Sequence, residues 1–224
     1  MTLRLEPFTR GDLHKIHGAT VRILERTGVR ILDPESAKLL QAAGASYDDL
    51  SQVVRIPEGV LKSLLMQAPS RFRLYGRGPD HVLSFGEGNT YFSSMGTAVQ
   101  VEDGNGGVRS PTLKDVEAFY RLVDASPCLD HASWVVWPRD VPNEAVHVYE
   151  VLYGFKHTTK PLDGYNWGKQ YSQDTIDMAA IVAGGRDELV ERPLLLGFST
   201  PVSPLTLAKE TTEGLVAFAR GWAG

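Results

Sequence analysis

Three apolar stretches of this chain, His131–Trp137, Lys160–Tyr165 and Pro193–Ser199, each run out into aromatic rings, amides and hydroxyls. Trp134 and Trp137 close the first, Tyr165, Asn166 and Trp167 close the second, and Phe198, Ser199 and Thr200 close the third. Ring faces attract a cation electrostatically. They suit a quaternary ammonium above all, because that ion has no N–H to donate to a carbonyl or carboxylate. Trp134, Trp137, Tyr165 and Trp167 are therefore candidate walls of a cation cage, with packing of a rim as the competing role for each.

Other chemistries lack their residues. Asp163 and Asp140 are the only carboxylates near these ends, so no paired-carboxylate acid/base site is evident. There is no Gly-x-Ser-x-Gly nucleophile elbow. Gly104–Gly107 is followed directly by no helix start and reads as a hairpin loop instead of a phosphate cradle. His14 and His17 share a helix face without a third ligand, and His147 and His157 lie in and at the end of a helix, so no metal site is expected. Cys128, the single cysteine, has no disulfide partner and reads as a small buried hydrophobe.

The elements that must place the rings follow from caps and periodicity. Thr9-x-x-Asp12 opens a helix with Leu13, Ile16, Thr20, Ile23 and Leu24 on one stripe, which Gly28 ends. Asp33 and Pro34 open a second helix that ends at Gly44, and a third runs from Pro57 to just before Pro69. From Arg71 to Ser110 short runs, Phe72–Tyr75, Val82–Leu83, Tyr91–Phe92 and Ala98–Val101, alternate with glycine-rich turns and read as β-hairpins.

After Ser110 helix and strand alternate. Thr112-x-x-Asp115 caps a helix with Val116, Phe119, Tyr120 and Val123 facing inward, and Pro142 opens another with Ala145, Val148, Tyr149 and Leu152 on its apolar face. A third helix covers Ser172–Ala183, and a last one starts near Thr206 and is still running at Arg220. Such units predict a parallel sheet covered by helices, with the site at the C-terminal strand ends. The expected fold is α/β: an N-terminal helical layer (1–70), a β-hairpin region (71–110) and the first half of a TIM-type (β/α)8 barrel (111–224). A whole barrel takes about 250 residues, so about half of one fits.

With 224 residues, 42% of them hydrophobic and 22% charged, the chain can bury a full core. A formal charge of −4 with scattered Lys and Arg offers no basic field for nucleic acid. The opening MTLRLEPFTRGDL has no apolar leader core and no run approaches the roughly 18 apolar residues of a membrane span, so a soluble cytoplasmic protein is expected. Open sheet edges and an uncovered interior of a half barrel predict self-association into a homo-oligomer.

The series Leu24-Glu25-Arg26-Thr27-Gly28-Val29, Ala42-Ala43-Gly44-Ala45, Val54-Arg55-Ile56-Pro57, Gln67-Ala68-Pro69, Leu74-Tyr75-Gly76-Arg77, Trp137-Pro138-Arg139-Asp140-Val141-Pro142, Thr159-Lys160-Pro161 and Ser203-Pro204-Leu205 resembles, in order and spacing, the trimethylamine methyltransferase family. The resemblance spans nearly the entire chain. It implies a TIM-type barrel behind a helical region and transfer of a methyl group from a methylated amine, trimethylamine or a betaine such as glycine betaine. The acceptor would be the cobalt of a corrinoid (cobalamin) carried by a separate cognate protein, with no cofactor bound directly here.

For a betaine substrate, Asn166, Ser199 and Thr200 would be the donors to its carboxylate. The resemblance further implies that later active-site residues belong to a second half, so that this chain supplies part of an amine pocket and does not catalyse transfer alone. The alternatives are a barrel hydrolase or lyase using Asp163 and Lys160, and a non-catalytic scaffold that binds a corrinoid protein or a completing subunit.

Overall fold

A computed structural model describes residues 6–221. The chain divides into two compact units, residues 1–69 with 200–212, and residues 70–199 with 213–224.

The first unit holds the three expected helices, α1 (Arg10–Arg22), α2 (Pro34–Ala42) and α3 (Glu58–Gln67). Their caps are those read in the sequence. Thr9 and Asp12 form a reciprocal capping box, and the Asp33 carboxylate accepts from the N–H groups of Glu35 and Ser36. After α1 the chain winds one π turn, Ile23–Thr27, and is released by Gly28 at φ 82°, where a Cβ would meet the Val54 carbonyl. The helix stripe differs from expectation: Leu13, Ile16 and Ile23 are exposed.

This unit is more than a helical layer. Strands β1 (Val29–Ile31), β2 (Ser46–Asp48) and β3 (Val53–Arg55) join Thr206–Leu207 in a four-stranded sheet, with β1 between β3 and Thr206–Leu207. Thr206 therefore belongs to a strand, and the last helix starts at Lys209. Three-residue strands are too short for alternation to register in sequence. Ile31, Ala37, Ala45 and Val54 form the small core.

The second unit opens with two hairpins. β4 (Phe72–Tyr75) pairs with β5 (Val82–Phe85), with the Phe72 and Phe85 rings stacked at 4.6 Å. β6 (Val101–Glu102) pairs with β7 (Val108–Arg109) across a turn in which the Asp103 carboxylate accepts from Asn105 and Gly107. Tyr91–Phe92 is in no strand.

Then come α4 (Leu113–Ala125), α5 (Val146–His157) after a 3-10 turn at Asn143–Ala145, β8 (Leu162–Asp163), α6 (Lys169–Ala183), α7 (Arg186–Glu191), β9 (Leu195–Leu196) and α8 (Lys209–Gly221).

Four extended segments lie side by side in chain order and in parallel. Ser93 and Ala98 bridge to His131 and Val136, Ala132 bridges to Leu162, and Leu162 and Asp163 pair with Leu195 and Leu196. The first of these, 93–98, is a partner the hairpin reading did not anticipate. Ala132, Val135, Val136, Leu162 and Leu195 pack against Val116, Tyr120 and Val123 of α4, Val151 and Phe155 of α5, and Ile176 and Ala179 of α6. Phe218 of α8 fits the notch left by Gly164 and Gly197, where a Cβ on either would meet its ring.

The face that α5 buries is not the expected one. Val146, His147, Glu150, Val151, Gly154 and Phe155 are inside, and Leu152 is 39% exposed. Two polar residues on that face hide it from a hydrophobicity pattern, since each is matched only by a distant partner. The Tyr120 hydroxyl donates to Glu150, and His147 bonds Asp174. Cys128 also departs from the reading: it is exposed, in the loop after α4.

Candidate functional site

The ends of the segments 93–98, 131–136 and Leu162–Asp163 open on a cleft of about 460 Å³, within the ~300–1,000 Å³ span of ligand sites. Trp137, Tyr165 and Trp167 line it, together with Tyr171, Val99 and Asn143, and with the charged Arg139 and Glu144. Trp137 is fixed by its indole N–H, which donates to the Asn143 side-chain oxygen at 3.2 Å. Trp167 is 53% exposed at the lip.

Trp134 stands behind this wall. It is buried, its indole N–H donates to the Asp163 carbonyl at 3.3 Å, and its ring lies 4.1 Å from that of Tyr165. Its place is to hold Tyr165 at the cleft. Tyr171 was missed because the sequence reading began the helix at Ser172. Gly168, at φ 78°, starts α6 at Lys169 and brings Tyr171 into the first turn. The His147 ring stacks on Tyr171 at 4.2 Å and 17°, and its Nε2 bonds the Asp174 carboxylate at 2.9 Å. Burial, and then neighbouring Tyr171, push the Tyr165 phenol above its ordinary range, so that ring presents a neutral π face at physiological pH.

Asn166, Phe198, Ser199 and Thr200 are not among the lining residues. Asn166 and Ser199 each stand three residues beyond the paired Asp163 and Leu196, and the Asn166 Nδ2 and Ser199 Oγ are buried without a hydrogen-bond partner. Phe198 is 49% exposed, and Thr200 is exposed within the first unit.

Residues 2–222 match the family profile described as trimethylamine methyltransferase. The chain belongs to the trimethylamine methyltransferase family. It is similar to a trimethylamine methyltransferase of Desulfitobacterium hafniense, 33% identical over 96% of this chain and 44% of that protein. It is also similar to a glycine betaine methyltransferase of the same species, 28% identical over 94% of this chain and 44% of the relative. A trimethylamine methyltransferase of Methanosarcina barkeri is 28% identical over 97% of this chain and 45% of its own length. The chain thus spans about half the length of the curated relatives it matches.

Lys160, Asp140, Asp163 and Glu150 of this methyltransferase-family chain have structural partners. The Lys160 ammonium donates to the carbonyls of Val123, Ser126 and Leu129 at 2.6–2.7 Å, closing the C-terminal end of α4. Asp140 accepts from the Leu113 N–H at the opposite end of the same helix. Asp163 is buried and bonds His131 Nε2 at 2.5 Å. Burial pushes the Glu150 carboxyl up to about 8, against the hydrogen bonds from Tyr120 and Val135 that favour its charged form. Among the described residues no group of three or more His, Cys, Asp or Glu is placed to hold a metal ion, and no helix is long and apolar enough to cross a membrane.

Proposed function

We propose that this chain binds a methylated amine for methyl transfer to the cobalt of a corrinoid carried by a separate cognate protein. Trimethylamine and betaines such as glycine betaine are the substrate class. The observation that carries the reading is the cleft itself: Trp137, Tyr165, Trp167 and Tyr171 meet at the C-terminal ends of parallel segments, with Trp134 and His147 behind them.

Neighbouring parallel segments in chain order, with α4, α5 and α6 between successive ones, are what the opening of a TIM-type barrel would show, and we read the second unit as that part of one. The corrinoid supplies the nucleophilic metal when its carrier docks. This chain's residues would hold the substrate nitrogen against ring faces, keep water off it and point one methyl group outward. As that C–N bond breaks, its electron pair stays on the amine, which leaves neutral if it entered as a quaternary or protonated cation. No acid/base side chain is needed for such a step, in keeping with a cleft that carries a single carboxylate. A hydrolase or lyase working through Lys160 finds no support, since its three donors are all engaged.

We further propose that the protein works in the cytoplasm and self-associates, an expectation supported by exposed apolar side chains on α1.

Tetramethylammonium should quench the tryptophan fluorescence of the chain, and Trp137→Ala should weaken that binding. The complete open reading frame of the gene, expressed and supplied with cobalt(I) cobalamin, should form methylcobalamin from a methylated amine. No quenching by any methylated ammonium, or no methylcobalamin from any of them, would overturn the reading.

A further inference from the structure

Helix α1 presents its apolar stripe to solvent. Val21 is its one buried residue, while Leu13, Ile16 and Ile23 are 53%, 51% and 42% exposed. Thr20 completes the stripe, and its hydroxyl donates to the Ile16 carbonyl at 3.0 Å, so it adds no unsatisfied donor to that face. A helix of 13 residues is marginal in water unless its apolar face is packed, which makes this face one that a partner should cover.

The order of residues along the stripe fits a second copy of itself. Leu13 with Ile23, and Ile16 with Thr20, are both centred on position 18. A twofold axis there lays α1 antiparallel on α1 of the second copy, with Leu13 on Ile23, Ile16 on Thr20 and the helix dipoles opposed. The flanking charges agree with that arrangement. At about 100° per residue, Asp12 and Arg26 fall on one side of the stripe and Arg10 and Glu25 on the other. Antiparallel pairing sets Asp12 against the partner's Arg26 and Arg10 against the partner's Glu25, whereas parallel pairing would set each against its own like charge. Arg10 and Glu25 are about 20 Å apart along the helix, too far to pair within one chain. Among the described residues the side chains of Arg10, Glu25 and Arg26 make no hydrogen bond or ion pair, and the Asp12 Oδ1 meets only Lys15, at 3.9 Å. Lys15 and Arg22 lie on the far face of the helix, and His17 meets its own copy near the axis.

We propose that this face of α1 is a twofold interface between two copies of the chain. The inference rests on the self-association proposed above and gives it a surface, a register and an orientation. It is independent of what the cleft binds. The contact is short, well below the ~1,200–2,000 Å² of stable complexes, so the dimer should be weak and should form over roughly tens of micromolar.

Sedimentation equilibrium of the chain at low salt and about pH 8, where histidine is uncharged, should show monomer passing to dimer, and added salt should move the transition to higher concentration. Ile16→Glu should hold the chain monomeric without lowering its denaturation midpoint, because Ile16 is half exposed. Glu25→Arg should weaken the dimer several-fold, and Arg10→Glu added to it should restore the association. In a Cys128→Ser background, a mixture of Ile16→Cys and Thr20→Cys chains should oxidise to the mixed disulfide beyond its statistical proportion. A monomer at every concentration would remove self-association and this interface together. Association that survives Ile16→Glu, or symmetric disulfides in preference to the mixed one, would overturn the interface while leaving self-association standing.

Discussion

Trp134 and Tyr165 stand at the ends of neighbouring parallel segments with their rings 4.1 Å apart, and the Trp134 indole N–H is tied to the Asp163 carbonyl. One ring is therefore buried behind the other, which lines the cleft. Trp134→Ala should cost about 3–5 kcal/mol in chemical denaturation, the usual loss for a buried large side chain. Trp134→Phe should recover most of the stability and leave cation binding within a few-fold. A Trp134→Ala protein of ordinary stability would show that the ring does not support the wall.

Asn143 makes a smaller, separable contribution. Asn143→Ala removes the acceptor that orients the Trp137 indole. It should weaken tetramethylammonium binding several-fold while changing stability by about 0.5 kcal/mol or less, as for most exposed substitutions. Unchanged binding would mean that the indole keeps its place without the bond.

Glu150 sets a pH dependence whose sign is determined. Its carboxyl, ordinarily 4.5, sits at about 8 in the fold, so the folded chain holds a proton that the unfolded chain has already released across that interval. Its contribution is fully present below 4.5 and is lost as pH rises towards about 8. Denaturation midpoints of Glu150→Gln should fall less over this interval than those of the unaltered chain. A pH-independent difference between the two would contradict the placement of the carboxyl.

Two glycines should respond in opposite directions to alanine. At Gly197 an added Cβ lies 2.7 Å from Phe218 Cδ1, so Gly197→Ala should destabilise by about 1–3 kcal/mol. At Gly59, within α3, nothing lies within 4 Å and φ is not positive. Gly59→Ala should therefore stabilise by about 0.5–1 kcal/mol. Thermal melts of the pair decide it.

Lys160→Met separates structure from chemistry. One buried and two partly buried carbonyls lose their donor, which should cost about 1.5–3 kcal/mol. Binding of methylated ammonium ions should be unchanged, because Lys160 does not line the cleft. A selective loss of binding without a loss of stability would reverse this view of the residue.

What the sequence determined by itself was local or additive. Thr9, Asp33 and Thr112 announced their helices because a cap is made within three residues of its partner. The aromatic strand ends were visible for a similar reason, since an apolar run and the residues that follow it are adjacent in the chain.

Only the tertiary structure decided the rest. The strands of the first unit are three residues or fewer and exist through pairings such as Val29 with Val54, which no local pattern carries. The buried face of α5 includes Glu150 and His147 because Tyr120, 30 positions away, and Asp174, 27 positions away, supply their partners. Tyr171, Arg139 and Glu144 come from a helix turn, a loop and a 3-10 turn, and they share one cleft only once parallel pairing has brought the strand ends level. Burial of polar groups and assembly of a site both depend on groups far apart in the chain, and it is packing that brings them together.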